Sequence, residues 1–178
     1  ETFDDQSDFN CLPSILSDTY DYTTTYVHAS GSEFYNRELL GKEWGFDDLY
    51  FTPYFKNKET DIVVINDVID KMKDSENPIL SYIIGYSSHS PHGDDTVELK
   101  KKKELPDLPL YTAKIPEDLV ESSDLDEYAI QTYAWFLAQV DTYIEQMFER
   151  LESEDMLKNT IVVLFGDHRY YNFKEKTK

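Results

Sequence analysis

The apolar run Ile161–Phe165 constrains the fold of this chain more than any other stretch. It follows a polar turn at Asn159 and Thr160, and most of its residues are β-branched. A continuous apolar run of this length predicts a strand that is buried on both faces, as in parallel sheets. Asp167 and His168 follow after Gly166, and open α/β sheets place their chemistry just beyond the carboxyl ends of their strands. The run therefore predicts an α/β protein with a functional site at one edge of its sheet.

Two earlier stretches predict further strands of the same sheet. Thr23–Val27 is β-branched and aromatic and ends at His28, and Ile79–Ile84 leads into the turn that contains His89. The alternation of strands and helices predicts a mainly parallel sheet flanked by helices. Helices are expected over residues 12–16, 33–40, 59–73 and 123–151, and Gly41 and Gly45 are expected to end the second of them. A short strand is expected over 48–52, and a long loop, functional or mobile, over 90–122.

Composition narrows the class of protein. The chain has 178 residues, which suffices for one domain with a proper core, and its formal net charge is -19. This charge argues against a nucleic-acid partner, because phosphate backbones bind basic faces. A small phosphate-bearing substrate remains compatible, since a bound cation and one or two arginines reverse the local field. Cys11 is the lone cysteine, so no disulfide within the chain is expected. No apolar run approaches the roughly 20 residues of a membrane span, so the chain itself is expected to be soluble.

Histidines follow the three main predicted strands. They are His28, His89 and His168, the last beside Asp167. Because parallel strands end at one edge, these side chains are expected to converge. A single histidine at a strand end is more often structural, whereas three at matching positions favour a site. Carboxylate and imidazole donors suit Mn²⁺, Zn²⁺ or Mg²⁺, and the lack of an accompanying cysteine argues against a structural zinc site.

An aromatic and basic stretch lies just behind His28. Arg37 has a planar fork that can clamp a phosphate or sulfate, and Phe34 and Tyr35 would form a wall around a small polar group. The alternative interpretation is an aromatic pair that packs the helix beneath a surface arginine. The lysine run 100–103 is most simply a solvated loop, with attraction of anionic lipid headgroups as the second interpretation.

Four sequence blocks, in order, give the chain a resemblance to a known family. It resembles the extracellular catalytic domain of lipoteichoic acid synthases and related phosphoglycerol transferases, in the sulfatase and alkaline phosphatase superfamily. The resemblance spans about residues 12 to 168. The blocks are Leu12-Pro-Ser-Ile-Leu16 with Tyr22-Thr-Thr, the stretch from His28 through Ser30 to Phe34-Tyr-Asn-Arg37, Ser88-His-Ser-Pro91, and Asp141 followed by Asn159 to His168.

The resemblance implies a reaction and a role for each candidate residue. Family members use a threonine to attack a phosphatidylglycerol headgroup, and they pass the glycerol phosphate to an acceptor at the extracellular face of the bacterial cell membrane. By resemblance, Asp167 and His168 bind a divalent metal, commonly Mn²⁺. His28, Arg37 and His89 hold the phosphoglycerol group, Phe34 and Tyr35 line its pocket, and His89 is the candidate catalytic histidine.

The chain also departs from the family pattern. Ser30 replaces an acid, Tyr35 replaces a tryptophan, and Arg169 follows His168 where the family has tyrosine. In the family, the nucleophile and an acidic metal ligand precede the first block, as do the membrane helices. Residues 1–178 are therefore interpreted as a partial sulfatase-like catalytic domain, incomplete on its N-terminal side and inactive alone. The alternatives are a hydrolase of phosphate or sulfate esters, and a non-catalytic surface domain that retains the fold.

Overall fold

The computed structural model describes residues 10–28, 30–51, 61–89 and 114–168 of the chain. The chain divides into two compact units, residues 1–86 and residues 87–178. The lysine run at 100–103 and most of the long loop expected over 90–122 lie outside the described residues.

The first unit contains a parallel three-stranded sheet. The central strand β1 (Thr23–His28) pairs with β2 (Asp48–Tyr50) on one side and with β3 (Ile79–Ile84) on the other. β1 and β3 pair along all six residues, so His28 lies opposite Ile84. The two main strands predicted in this unit and their parallel pairing are therefore confirmed, and β2 is shorter than expected.

Three helices accompany this sheet: α1 (Leu12–Tyr20), α2 (Arg37–Glu43) and α3 (Asp61–Asp74). α1 has a buried proline, Pro13, in its first turn, and it continues one turn beyond the predicted end. It stops at Asp21, whose backbone is left-handed with φ 56° and ψ 32°. The described part of α3 agrees with the helix predicted from its apolar spacing.

The central strand β1 is buried on both faces. Successive side chains of β1 point to opposite faces, as in any strand. Val27 packs against Val64 and Val68 of α3 on one face. Tyr26 packs on the other face, in a cluster with Phe46 and Phe51. Burial on both faces fits the largely β-branched and aromatic sequence of β1.

Gly41 lies inside a helix, so the expectation that it breaks the helix is wrong. A 3₁₀ turn at Phe34–Asn36 precedes α2, and α2 then runs through Gly41, which is buried. A Cβ atom on this glycine would lie 2.6 Å from Cδ2 of Leu49 and 2.8 Å from Cδ1 of Tyr26. The glycine is thus explained by the close approach of α2 to the sheet rather than by a turn.

Asp47 ties β1 to the segment that precedes β2. Its Oδ2 accepts hydrogen bonds from the backbone N–H and the hydroxyl of Thr24, at 2.8 and 2.9 Å. In return, the N–H of Asp47 donates to Oγ1 of Thr24 at 3.0 Å. Ser17 of α1 donates to the other carboxylate oxygen at 2.9 Å. One side chain thus connects α1, β1 and the approach to β2.

The second unit is built around one long helix. A short helix, α4 (Glu117–Glu121), precedes α5 (Glu127–Ser153), and a 3₁₀ turn at Leu157–Asn159 follows. Asp126 caps α5 by accepting the N–H of Ala129 at 2.8 Å, so the cap lies after the predicted serines. The helix itself is confirmed. No helix in the described ranges has the length and apolar content needed to cross a membrane.

The strand expected over Ile161–Phe165 is not present in this structure, so that prediction is wrong. Thr160 has an extended backbone, with φ -117° and ψ 131°, but the segment that follows has no regular secondary structure. Ile161 is 92% exposed and Phe165 is 69% exposed. An apolar run becomes a strand only where a neighbour satisfies its backbone N–H and C=O groups. No strand among the described residues pairs with it.

Candidate functional site

A buried histidine lies at the carboxyl end of β1. His28 is only 2% exposed, and its Nδ1 lies 3.1 Å from the carbonyl oxygen of Ile84. Because a carbonyl only accepts, Nδ1 carries the proton in this contact, and Nε2 is the acceptor of the neutral ring. The ring also meets the ring of Tyr86 edge-on, with 6.0 Å between the centroids. The pairing of β1 with β3 therefore fixes both the position and the tautomer of His28.

A buried carboxylate fixes the turn after β3. Asp61, the first residue of α3, is 6% exposed and accepts the N–H of Tyr86 at 2.7 Å. Gly85 allows this approach, since a Cβ there would lie 3.0 Å from Oδ2 of Asp61. The sequence analysis did not single out Asp61. An acid in the first turn of a predicted helix was the available signal.

A strained turn directly precedes Arg37. Tyr35 and Asn36 both have left-handed backbones, with φ of 56° and 51°. Such conformations cost about 1–3 kcal/mol for a residue other than glycine and concentrate at functional sites. The ring of Tyr35 is 79% exposed, and the guanidinium carbon of Arg37 lies 5.5 Å from its centroid. The structure therefore brings Arg37 and Tyr35 together at the surface. The side chain of Phe34 lies outside the described residues.

A shallow cleft adjoins this turn. Its volume is about 310 Å³. Lys42 and Glu38 form an ion pair of 2.7 Å within it, so the lining has both signs of charge. The lining residues are Ser32, Glu33, Asn36, Glu38, Leu39 and Lys42.

The remaining candidates belong to the second unit. His89 is exposed and follows the buried Ser87. Asp167 and His168 lie side by side, with Nε2 of His168 3.6 Å from Oδ2 of Asp167. The backbone N–H of His168 also donates to Oδ1 of Asp167 at 2.9 Å. Both side chains are accessible, with 72% of Asp167 and 45% of His168 exposed.

The chemistry of Asp167 and His168 fits part of a divalent metal centre. A carboxylate and an imidazole are suitable donors for Mn²⁺, Zn²⁺ or Mg²⁺. Protein sites for such ions generally use three or more protein ligands, or fewer with bound water or substrate. Among the described residues, no group of three or more histidine, cysteine, aspartate or glutamate side chains is placed to hold an ion. The pair therefore accounts for some of the required donors.

The fold defines an α/β protein with a parallel sheet, in which polar residues follow the strand ends. A sulfatase family model matches residues 3–176, which is nearly the whole sequence, so the chain belongs to the sulfatase family. This confirms the fold class and the superfamily that the sequence blocks indicate.

Curated relatives point to one branch of that family. The chain is 19% identical over 171 residues to lipoteichoic acid synthase 1 of Bacillus subtilis, which covers 92% of the chain and 24% of the relative. It is 22% identical over 169 residues to the lipoteichoic acid synthase of Staphylococcus aureus, which covers 90% of the chain and 23% of the relative. The chain thus spans about a quarter of the length of these relatives.

Solved structures share the fold. The lipoteichoic acid synthase LtaP of Listeria monocytogenes is similar over 81% of this chain and 33% of the LtaP chain, with a TM-score of 0.59 and 20% sequence identity. The phosphoglycerol transferase GacH of Streptococcus pyogenes, solved in complex with sn-glycerol-1-phosphate, is similar over 75% of this chain and 34% of the GacH chain. Its TM-score is 0.51 and its identity is 19%.

Proposed function

We propose that this protein is a metal-dependent phosphoglycerol transferase, which moves glycerol phosphate from a phosphatidylglycerol-type lipid to a cell-surface polymer or glycan. The observation that carries the proposal is the strained turn that presents Arg37 beside the exposed ring of Tyr35. Relatives named lipoteichoic acid synthase and a neighbour solved with sn-glycerol-1-phosphate support this ligand class.

Arg37 is the proposed anchor for the phosphate. Its planar guanidinium offers donors in a fork that matches two phosphate oxygens, and charge-assisted bonds of this kind are the strong ones. Phe34 and Tyr35 would line the pocket, and Nε2 of His28 would accept a hydrogen bond from a hydroxyl of the phosphoglycerol group. The glycerol hydroxyls would occupy the adjoining cleft, where the carboxylates of Glu33 and Glu38 accept hydrogen bonds.

Asp167 and His168 are proposed to bind the divalent ion, with Mn²⁺ preferred and Zn²⁺ or Mg²⁺ as alternatives. When bound, such an ion lowers the pKa of a nucleophile and neutralises charge on phosphate oxygens. His89 is proposed to hold the phosphoglycerol group and to give a proton to the leaving oxygen as general acid. The reaction is proposed to take place at the extracellular face of a bacterial membrane, with an anionic lipid headgroup or a glycerol-phosphate polymer as partner.

Ester hydrolysis is the second candidate function, because the matching family model is that of sulfatases. The two candidates differ in the acceptor. A transferase attaches glycerol phosphate to an acceptor chain, whereas a hydrolase releases the product into water. Ligand preference also separates them, since a transferase of this class should prefer a glycerol phosphate to a sulfate ester.

Calorimetric titration with sn-glycerol-1-phosphate tests the proposal. We expect Arg37→Lys to weaken binding by about tenfold, because a point charge replaces the two-pronged contact. The matched control is Arg150→Lys on α5, for which we expect less than about a twofold change. Equal affinity of both variants and the wild-type chain would contradict the proposal, and tighter binding of a sulfate ester would favour the hydrolase.

A further inference from the structure

The ring of Tyr26 is held in place from several sides. The residue belongs to β1 and is 2% exposed. Two rings stack on it and two meet it edge-on, at centroid distances between 5.5 and 6.2 Å. Aromatic pairs in these arrangements add stability beyond the buried area. The stacked rings are Phe46 and Tyr82, and the edge-on rings are Trp44 and Phe51.

Helix α2 approaches this ring on the face that carries Arg37. Gly41 lies against the ring, since a Cβ on it would be 2.8 Å from Cδ1 of Tyr26. Residues four positions apart share a helix face, so Arg37 and Gly41 point the same way. Arg37 is accordingly placed on the side of α2 that faces Tyr26, close enough for its charge to act on the Tyr26 hydroxyl.

The hydroxyl of Tyr26 is suited to accept a hydrogen bond from Arg37. Burial raises the pKa of Tyr26, whereas the charge of Arg37 acts in the opposite direction. The phenol is therefore neutral at pH 7, and its oxygen has lone pairs for a guanidinium donor. Arg37 has five N–H donors, so a contact with Tyr26 and a face against the ring of Tyr35 leave most of its donors available for a ligand.

We propose that Tyr26 is a positioning residue for Arg37: its hydroxyl and the ring of Tyr35 hold the guanidinium from two sides, so that the remaining donors face the phosphate of the ligand. A side chain that is ordered before binding loses less entropy on binding, which raises the affinity. The identity of the ligand rests on the proposed function, whereas the contact between Tyr26 and Arg37 does not.

The first test follows Arg37 directly, by the ¹H–¹⁵N resonance of its Nε–H group. Arg37, Arg150 and Arg169 are the arginines of the chain, so the spectrum is simple, and Arg37→Gln assigns the peak by removing it. We expect Tyr26→Phe to shift the Arg37 peak and to accelerate its exchange with water. Tyr82→Phe, which removes a hydroxyl from a ring stacked on Tyr26, should leave the peak in place. An Arg37 peak that is unchanged in folded Tyr26→Phe protein would overturn the inference.

The second test is a double-mutant cycle with sn-glycerol-1-phosphate as the probe. We expect Tyr26→Phe to weaken binding by about three- to tenfold in the wild-type background, and by less than about 1.5-fold when Arg37 is glutamine. The same loss in both backgrounds would show that Tyr26 acts independently of Arg37 and would overturn the inference. If the wild-type chain binds no sn-glycerol-1-phosphate, the proposed function fails, and the Arg37 resonance alone decides the positioning role.

Discussion

The substitution Gly41→Ala sets two physical effects against each other within α2. Helix propensity alone predicts stabilisation by about 0.8–1 kcal/mol, because alanine is the better helix former. The packing predicts the opposite sign. The new methyl carbon would lie 2.6 Å from Cδ2 of Leu49 and 2.8 Å from Cδ1 of Tyr26, whereas carbon atoms in favourable contact are about 3.5–4.0 Å apart.

The two neighbours differ in how readily they move. The tip of Leu49 is a half-buried methyl group that can change rotamer, but the ring of Tyr26 is held by four other rings. Overpacking in such a site costs about 1–3 kcal/mol, and we place Gly41→Ala in the upper half of that range. After the propensity gain is subtracted, the free energy of unfolding should fall by about 1–2 kcal/mol. For a chain of this size the melting temperature should fall by roughly 2–8 °C.

Urea unfolding followed by circular dichroism measures this difference. Gly166→Ala is the matched control, since the nearest atom to its new Cβ is the carbonyl oxygen of His168 at 3.7 Å, an ordinary contact. Its unfolding free energy should stay within about 0.5 kcal/mol of the wild-type value. A Gly41→Ala protein as stable as the wild type, or more stable, would refute the packing of α2 on Tyr26.

Three further predictions concern stability, pH and metal. Asp47→Ala should lower the free energy of unfolding by about 1–2 kcal/mol, because the N–H and hydroxyl of Thr24 lose their acceptor. Asp18→Ala, which removes an exposed side chain, should change this free energy little, and urea titrations compare the two variants. Stability should decline as the pH rises above about 10, because burial raises the pKa of Tyr26 above the 10.0 of the unfolded chain, so that the folded state retains its proton longer. Tyr26→Phe should reduce this decline above about pH 10, and an unchanged slope would contradict the assignment. The 178-residue chain should bind Mn²⁺ weakly, and its Asp167→Asn variant should not bind it; calorimetry measures both affinities. The 178-residue chain alone should also turn over no phosphodiester, and rapid turnover in a product analysis would contradict this prediction.

Local sequence patterns predicted much of the first unit. The β-branched stretch of β1 and the apolar stretch of β3 carry enough signal in themselves to indicate strands, and the apolar spacing of α3 indicates a helix. The parallel pairing followed from the alternation of strands and helices. These features depend on residues that are close in sequence, which is why they were predicted.

The errors arise where distant residues decide the outcome. The run Ile161–Phe165 has the composition of a buried strand, yet it is mostly exposed and forms no strand with the described residues, because strand pairing depends on a neighbour that composition cannot supply. Gly41 has low helix propensity, yet α2 includes it because the ring of Tyr26 leaves room for nothing larger.

The candidate site divides in the same way. Arg37 and Tyr35 were identified from the sequence blocks, but the left-handed turn that presents them was not, because it involves no glycine. The sequence did not distinguish Tyr26 from the other aromatic residues, because its proposed role depends on the packing of α2. The convergence of His28, His89 and Asp167 stays a prediction.

The most direct test of the proposed transfer reaction is the fate of the headgroup of phosphatidylglycerol. Membranes from cells that express the whole native gene product, rather than residues 1–178 alone, are supplied with phosphatidylglycerol that is labelled in its glycerol headgroup, and the products are separated by size and charge. Transfer predicts label in a polymer or glycan fraction together with unlabelled diacylglycerol, and it predicts a strong reduction of both with Arg37→Lys but not with Arg150→Lys. Label that appears as free glycerol phosphate in water, or transfer that is indifferent to Arg37→Lys, would contradict the account.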